Sequence, residues 1–274
     1  MSNCNTCPTK GECTVPEEKC GIKNNPLNKI NKVIGVMSGK GGVGKSTVTV
    51  LLAKTLNKLG YKVGIMDSDI TGPSIPRLLG IKDGKVLSDN KCLYPAETED
   101  GIKAVSFNFL VKDENDPVVW RGPIVSSAVK QFWTDVAWGE LDFLLIDMPP
   151  GTGDVALTVM DSIPINGVVM VSIPQDMVSM IVAKAVNMAK KMNIEVLGLV
   201  ENMSYIKCPN CEDKIRLYDE IDTKKYLDDM GLNLLGELPM TKEIANLSNK
   251  GYEKYQKEID KEFSGIAENL LKSL

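Results

Sequence analysis

Gly39-Lys40-Gly41-Gly42-Val43-Gly44-Lys45-Ser46 fits the pattern G-x-x-x-x-G-K-[ST], a loop whose backbone N–H groups curl around phosphate oxygens. An apolar run, Val33–Met37, precedes it and a helix-period segment, Ser46–Leu59, follows it. The loop is therefore expected between a buried strand and a helix, whose N-terminus adds positive potential. In that setting Lys45 reaches the β- and γ-phosphates and the Ser46 hydroxyl binds Mg²⁺. The expected nucleotide cradle comprises Gly39, Lys40, Gly41, Gly42, Val43, Gly44, Lys45, Ser46 and Thr47. The same glycines also spell G-x-G-x-x-G (Gly39, Gly41, Gly44), a dinucleotide fingerprint, with Asp67 or Asp69 placed for a ribose. That alternative leaves Lys45-Ser46 without a role and a later acidic motif unexplained.

A phosphate loop needs acidic partners for the cation and for the attacking water. The apolar run Leu141–Ile146 ends in Asp147, followed by Met148-Pro149-Pro150-Gly151-Thr152-Gly153-Asp154. An Asp directly after such a strand is the Walker B arrangement, holding Mg²⁺ directly or through water. Gly151 is placed to offer a backbone N–H near the γ-phosphate. A second strand end gives Asp67-Ser68-Asp69. Two carboxylates two residues apart in extended chain share a side and repel unless a cation or water network lies between them. One of them can support Mg²⁺ while the other orients water. The plainer readings are a turn or N-cap role for Asp147 and solvated turn carboxylates for the other two.

The cysteines are unevenly spread. Cys4, Cys7, Cys13 and Cys20 fall in the first 20 residues, Cys208 and Cys211 form a late C-x-x-C, and Cys92 stands alone. One C-x-x-C supplies two thiolates, whereas a [4Fe–4S] cube or tetrahedral zinc takes four. A two-fold dimer doubles the pair on its axis. Half of a zinc knuckle, a redox pair or inert thiols are the other readings. The four leader cysteines are enough for a whole cluster or a zinc ion within one segment, or else are simple thiols. Cys92 reads as an ordinary thiol.

These residues must be positioned by a scaffold, and the pattern around them supplies one. Short apolar runs alternate with helix-period segments, the signature of βαβ units and a parallel sheet. Strands are expected at Val33–Met37, Tyr61–Met66, Ile102–Phe107, Leu141–Ile146, Val168–Ile173, Val196–Val200 and Leu234–Leu238. Helices are expected at Ser46–Leu59 with Gly60 as its C′ stop, at Ile124–Trp138, and from Asp176 as N-cap to Met192. Ile259, Phe263, Ile266 and Leu270 trace the apolar face of a closing helix. The fold expected is a three-layer α/β/α P-loop NTPase with a mostly parallel central sheet. Residues 1–32 form a Cys-rich segment that lacks a core of its own, and residues 33–274 form the globular domain.

Composition removes whole classes of function. The 274 residues contain no histidine, which excludes Ser-His-Asp and Cys-His catalysis and His-ligated zinc. The net charge of −4 and an aromatic content of 5% speak against a nucleic-acid partner. The polar start, Met1-Ser2-Asn3-Cys4, has no apolar core of a signal peptide, and no apolar run reaches membrane-span length. A cytoplasmic setting follows, where cysteines serve metal or redox chemistry. The closing segment Tyr252–Leu274 carries four Lys and five acidic residues, so packing on the domain is expected rather than binding to a membrane surface.

Taken together, these motifs resemble the deviant-Walker ATPases of the MinD and nitrogenase-iron-protein class, marked by the extra lysine in GKGGVGKS, here Lys40. More specifically, Asp67–Ser74 (DSDITGPS), Trp120-Arg121-Gly122-Pro123, Asp147–Asp154 (DMPPGTGD) and Glu201-Asn202-Met203-Ser204-Tyr205 followed by Cys208-Pro209-Asn210-Cys211 are similar, in that order, to the Mrp/ApbC family. Members of that family are ATP-dependent iron–sulfur cluster carriers or scaffolds. The resemblance implies a homodimer in which Lys40 reaches the partner's nucleotide, Asp69 activates water, Asp67 lies nearer Mg²⁺, Asp147 is the Walker B acid and Asn202 lies near the adenine. It also implies that Cys208 and Cys211, with their counterparts from a second chain, hold a bridging [4Fe–4S] cluster destined for apo iron–sulfur proteins. No role for Arg121 follows. The leader core Cys4, Cys7 and Cys13 resembles that of eukaryotic scaffold relatives, but Cys20 follows the core instead of preceding it. The alternative is a positioning switch of the MinD/ParA kind without cluster transfer.

Overall fold

A computed structural model of the chain describes Ile22, residues 24–70, 72, 74–81, 87–89, 92–109, 122–176, 180–211, 213–217, 223–247, 252 and 256–274. The expectations for Cys4, Cys7, Cys13, Cys20 and Arg121 lie outside the described residues. In chain order the elements are β1 (Lys29–Ser38), α1 (Lys45–Lys58), β2 (Val63–Asp67), α2 (Ile75–Leu79), β3 (Leu87–Asp89), β4 (Cys92–Tyr94), β5 (Ala96–Glu97) and β6 (Lys103–Val105). They continue with α3 (Gly122–Thr134), β7 (Glu140–Asp147), α4 (Asp154–Ser162), β8 (Gly167–Ser172), α5 (Met180–Lys191), β9 (Val196–Lys207) and β10 (Lys214–Ile215). The chain closes with α6 (Thr223–Met230), β11 (Leu234–Pro239), α7 (Lys242–Ala245) and α8 (Gln256–Lys272).

The main sheet runs β10-β9-β8-β1-β7-β2-β6-β5, with β11 also on β9. Pairings among β1, β2, β6, β7, β8, β9 and β11 are parallel, and the short β5 and β10 are antiparallel. Central strands carry apolar side chains on both faces because both faces are covered. Val33 and Met37 of β1 join the core under α3, α4, α5 and α6, while Ile34 and Val36 join the core under α1, α2 and α8. Val168 and Met170 against Val169 and Val171 repeat this alternation in β8. The result is the expected three-layer α/β/α architecture with a mostly parallel sheet.

Several boundaries move for identifiable reasons. The strand expected at Val33–Met37 starts at Lys29, because β1 also pairs along the exposed start of β7 (Lys29 opposite Glu140). The strand expected to reach Phe107 stops at Val105, and Phe107–Phe109 turn into a 3₁₀ helix. The helix expected to Trp138 ends at Thr134; Val136 instead bridges to Leu93, and Trp138 is fully buried with its Nε1 donating to Phe132 O at 3.1 Å. Pro174–Asp176 form a 3₁₀ turn, and the helix is described over Met180–Lys191. Gly60 has φ 93° and donates to Asn57 O, the C′ geometry expected of it. The largest difference is β9, which continues past Val200 to Lys207. The closing helix buries Ile259, Phe263, Ile266 and Leu270 at 2% exposure or less, against α1 and β11. Among the described residues no helix is long and apolar enough to cross a membrane.

Candidate functional site

The carboxyl ends of three adjacent parallel strands meet at one edge of the sheet, where open α/β folds bind ligands. β1 ends at Ser38 and opens into the phosphate loop, while β2 and β7 end in Asp67 and Asp147, which face each other in register. Gly44 closes the loop as the N-cap of α1 with φ 86°, a left-handed conformation that glycine adopts without steric cost. A Cβ on Gly44 would also lie 2.2 Å from Asn202 Nδ2.

Lys45 and Ser46, the first residues of α1, turn inward. Lys45 Nζ donates to Asp147 Oδ1 at 2.7 Å and lies 3.5 Å from Asp69 Oδ2. Ser46 Oγ donates to the other carboxylate oxygen of Asp147 at 2.6 Å. Thr49, one helical turn on, donates to Asp147 Oδ1 at 3.1 Å. Asp67 accepts from Ser106 Oγ at 2.8 Å and from the backbone N–H of Asp69 at 3.1 Å. The exposures are 0% for Asp67, 1% for Asp147, 7% for Asp69 and 6% for Lys45. Burial, reinforced by the Asp147 charge, raises the Asp67 pKa well above the ordinary aspartate range. Burial also raises that of Asp147, against the opposing pull of Lys45.

Lys45 thus lies between Asp147 and Asp69, and the buried Asp67 stands beside Asp147. That oxygen-rich set, with the Ser46 hydroxyl among it, fits a hard divalent cation such as Mg²⁺. Among the described residues no three or more Cys, Asp or Glu side chains come together as a metal cage. Such an ion, held by Ser46 and Asp147, would supply charge neutralisation to a nucleotide's phosphates.

The other residues of the cradle are placed as follows. Lys40, Gly41 and Gly42 are exposed at the mouth, and Val43 is buried. Gly39 lies against the start of α5, where an added Cβ would meet Ile181 Cγ2 at 2.8 Å. Thr47 is half-buried in the first turn of α1. Ser38 Oγ donates to Lys40 O at 2.9 Å. The N–H of Gly151, expected near a γ-phosphate, here donates to Ser38 O at 2.8 Å and ties the turn after β7 to β1. Asn202, on β9, donates from Nδ2 to Val43 O at 2.9 Å, and its buried Oδ1 has no protein partner. An orphaned buried acceptor beside the loop is a fit for a donor group on a bound nucleotide.

Cys208 and Cys211 sit in the turn of the hairpin from β9 to β10, where Lys207 pairs with Lys214. Cys208 is half-exposed and Cys211 exposed. The Cys208 N–H donates to Asp213 O at 2.9 Å. Backbone N–H groups of Asn210 and Cys211, then the Cys211 thiol, lower the Cys208 pKa, which favours the thiolate that metals bind. Cys92 is an unrelated half-buried thiol that accepts from Asn25 Nδ2 at 3.7 Å.

Sequence reasoning missed Thr49, Ser68 and Ser106. Thr49 was detectable in principle, since position i+4 from Lys45 lies on the same helix face. Ser68, whose Oγ and N–H both donate to Asp147 O, and Ser106, from the neighbouring β6 edge, are brought in by sheet order alone.

Comparison with known proteins gives the chain a family. A family model described as NUBPL iron-transfer P-loop NTPase, of the ParA group, matches residues 29–274. An iron–sulfur cluster carrier protein of Clostridium perfringens is 46% identical over 289 aligned positions, covering 100% of this chain and 98% of that protein. The mouse iron–sulfur cluster transfer protein NUBPL is 43% identical, covering 84% of this chain and 72% of its own. Among solved structures, a nucleotide-binding protein of Archaeoglobus fulgidus in complex with ADP is 45% identical, with a TM-score of 0.71 and coverage of 81% and 87%. The septum site-determining protein MinD of Pyrococcus horikoshii, at 24% identity and TM-score 0.60 over 88% of this chain and 96% of that one, shares the fold. With its phosphate loop, its paired acidic strand ends and a family match across the whole described domain, the chain belongs to the ParA/NUBPL family of iron-transfer P-loop NTPases.

Proposed function

We propose that this protein is a homodimeric ATPase that holds a [4Fe–4S] cluster as cargo and passes it to apo iron–sulfur proteins. The observation that carries this reading is the span of β9: one strand bears Asn202, bonded to the phosphate loop at Val43, and ends in the Cys208/Cys211 hairpin. The two sites are six residues apart, at most roughly 20 Å of chain, so one strand links the phosphate loop to the thiols. Two thiolates per chain complete a four-thiolate set when two copies meet on a two-fold axis. In this reading Lys45 and Lys40 grip the phosphates, Lys40 from across the dimer. Ser46 and Asp147 hold Mg²⁺, Asp67 supports it through water, and Asp69 orients the attacking water. Asn202 contacts the adenine. The leader cysteines Cys4, Cys7, Cys13 and Cys20 hold a separate cluster, and the protein acts in the cytoplasm. A positioning switch would need a membrane helix or a DNA-binding surface, and the buried apolar face of the closing helix and the net charge of −4 speak against both.

The test is anaerobic reconstitution with iron and sulfide, followed by iron, sulfide and zinc counts per chain. Cys208→Ser/Cys211→Ser is expected to lose about two irons per chain, half a cube each. Zinc at this pair, or no loss under conditions that load the leader, refutes the reading.

A further inference from the structure

The stretch of β9 between the phosphate loop and the cysteines is bent. Met203 has φ 54°, a left-handed conformation that a methionine keeps only where its surroundings enforce it. It follows Asn202, which is bonded to Val43 O, and precedes Ser204, whose Oγ donates to Glu201 Oε2 at 2.7 Å. Beyond this turn β9 runs to the cysteines, and the chain returns as β10.

Arg216, just after β10, reaches back to that same turn. Its Nη1 donates to Ser204 Oγ at 3.1 Å and its Nη2 to Glu237 Oε1 at 2.9 Å. Lys214 Nζ takes the other Glu237 oxygen at 2.7 Å and lies 4.3 Å from the centre of the Tyr205 ring. Glu237 and Glu201 are register partners on the parallel pair β11-β9, and Glu201 is 2% exposed. Two neighbouring carboxyl groups are thus balanced by two cations carried on the strand that leaves Cys211. Without Arg216, the pair keeps Lys214 among the described residues and the returning chain loses its fork to the turn.

We propose that Arg216 is a positioning residue that couples the phosphate loop to the Cys208/Cys211 hairpin. A shift of Val43 on phosphate binding passes through Asn202 and the Met203 turn to the contact of Ser204 and Glu237 with Arg216, and changes how tightly the cysteine hairpin is held. The contact has two arrangements, closed and released, and a nucleotide biases them by its differential hold on the loop. The inference builds on the proposed cluster-carrier reading but is measured without a cluster.

The experiment uses the reduced, cluster-free full chain. Alkylation rates of Cys208 and Cys211 by iodoacetamide are read by mass spectrometry without nucleotide, with Mg-ADP and with a non-hydrolysable Mg-ATP analogue, each at saturation. The native protein is expected to show rates that differ between nucleotide states by roughly fivefold or more. Arg216→Gln is expected to bring the states within about twofold of one another, and Arg216→Lys to recover part of the response. Glu237→Gln is the second variant, should Arg216→Gln not fold by circular dichroism, and is expected to lose the response likewise. A native protein with no nucleotide response overturns the proposal. So do variants that speed alkylation equally in every state while keeping the ratio, which is the mark of a merely structural role. Failure of the cluster reading shows separately, as unchanged iron content in the cysteine double variant.

Discussion

Replacing Lys45 by Met in the nucleotide-free protein tests the charge arrangement at the strand ends directly. Lys45 is the cation that touches Asp147 (2.7 Å) and the nearby Asp69 (3.5 Å), and Asp147 is 1% exposed. Removing one partner of a buried ion pair leaves an uncompensated charge and costs about 3–5 kcal/mol. Ser46 and Thr49 still donate to Asp147, so a loss near the lower end, about 3 kcal/mol, is expected at pH 7.5. The pH dependence has a definite sign. Burial holds the pKa values of Asp147 and Asp67 above the ordinary 3.8, so the folded state binds more protons than the unfolded one. Stability then falls as pH rises from about 3.8 through the raised folded values, and it is regained on acidification. Loss of Lys45 removes a charge that lowers the Asp147 value, so that value rises further and the defect shrinks as pH falls toward it. Lys45→Met/Asp147→Asn removes the orphaned charge and is expected to recover most of the loss. The assay is urea unfolding of the native protein, Lys45→Met and Lys45→Met/Asp147→Asn at pH values stepped down from 7.5. A double variant no more stable than Lys45→Met, or a defect unchanged over that whole range, refutes the buried-charge argument.

Gly44→Ala combines a left-handed φ of 86° with a Cβ 2.2 Å from Asn202 Nδ2; the backbone alone costs about 1–2 kcal/mol. Calorimetric titration is expected to show nucleotide affinity at least about tenfold weaker, and an affinity within twofold counts against the Gly44–Asn202 contact. Thr49→Val keeps the side-chain shape but removes the hydroxyl bonded to Asp147 at 3.1 Å. A stability loss of about 1.5 kcal/mol by urea unfolding is expected, and none at all assigns that bond no weight. Deleting residues 1–20 is expected to remove about four irons per chain from the reconstituted protein while ATP hydrolysis persists; unchanged iron content removes the leader cysteines from cluster binding.

The parts of this site readable from sequence are those set by local stereochemistry. The phosphate loop needs glycine where φ is positive and a lysine and hydroxyl at the first helical positions, and all of these are consecutive. Asp147 was identifiable because a run of apolar residues long enough for a doubly covered strand ends in a carboxylate. The C-x-x-C is likewise local, but its place in the β9–β10 hairpin is not fixed by the spacing. The strand carrying it was legible only in its first half, since Glu201, Asn202 and Ser204 read as the end of a strand. Glu201 stays in β9 opposite Ser172 of β8 and Glu237 of β11, and after the Met203 turn the strand resumes its pairing with β11 at Tyr205, opposite Pro239.

Chain order and residue type thus determined the phosphate loop, the acidic strand ends, the layered fold and the pair of thiols. The tertiary structure alone decided that Asp147 is enclosed by Lys45, Ser46 and Thr49, and that Ser106 reaches Asp67. It alone bent β9 at Met203 and brought Arg216 back from the hairpin to Ser204 and Glu237. Each of these contacts depends on which strands lie side by side and where a strand bends. Those are set by burial summed over the whole sheet, which no short window of sequence contains.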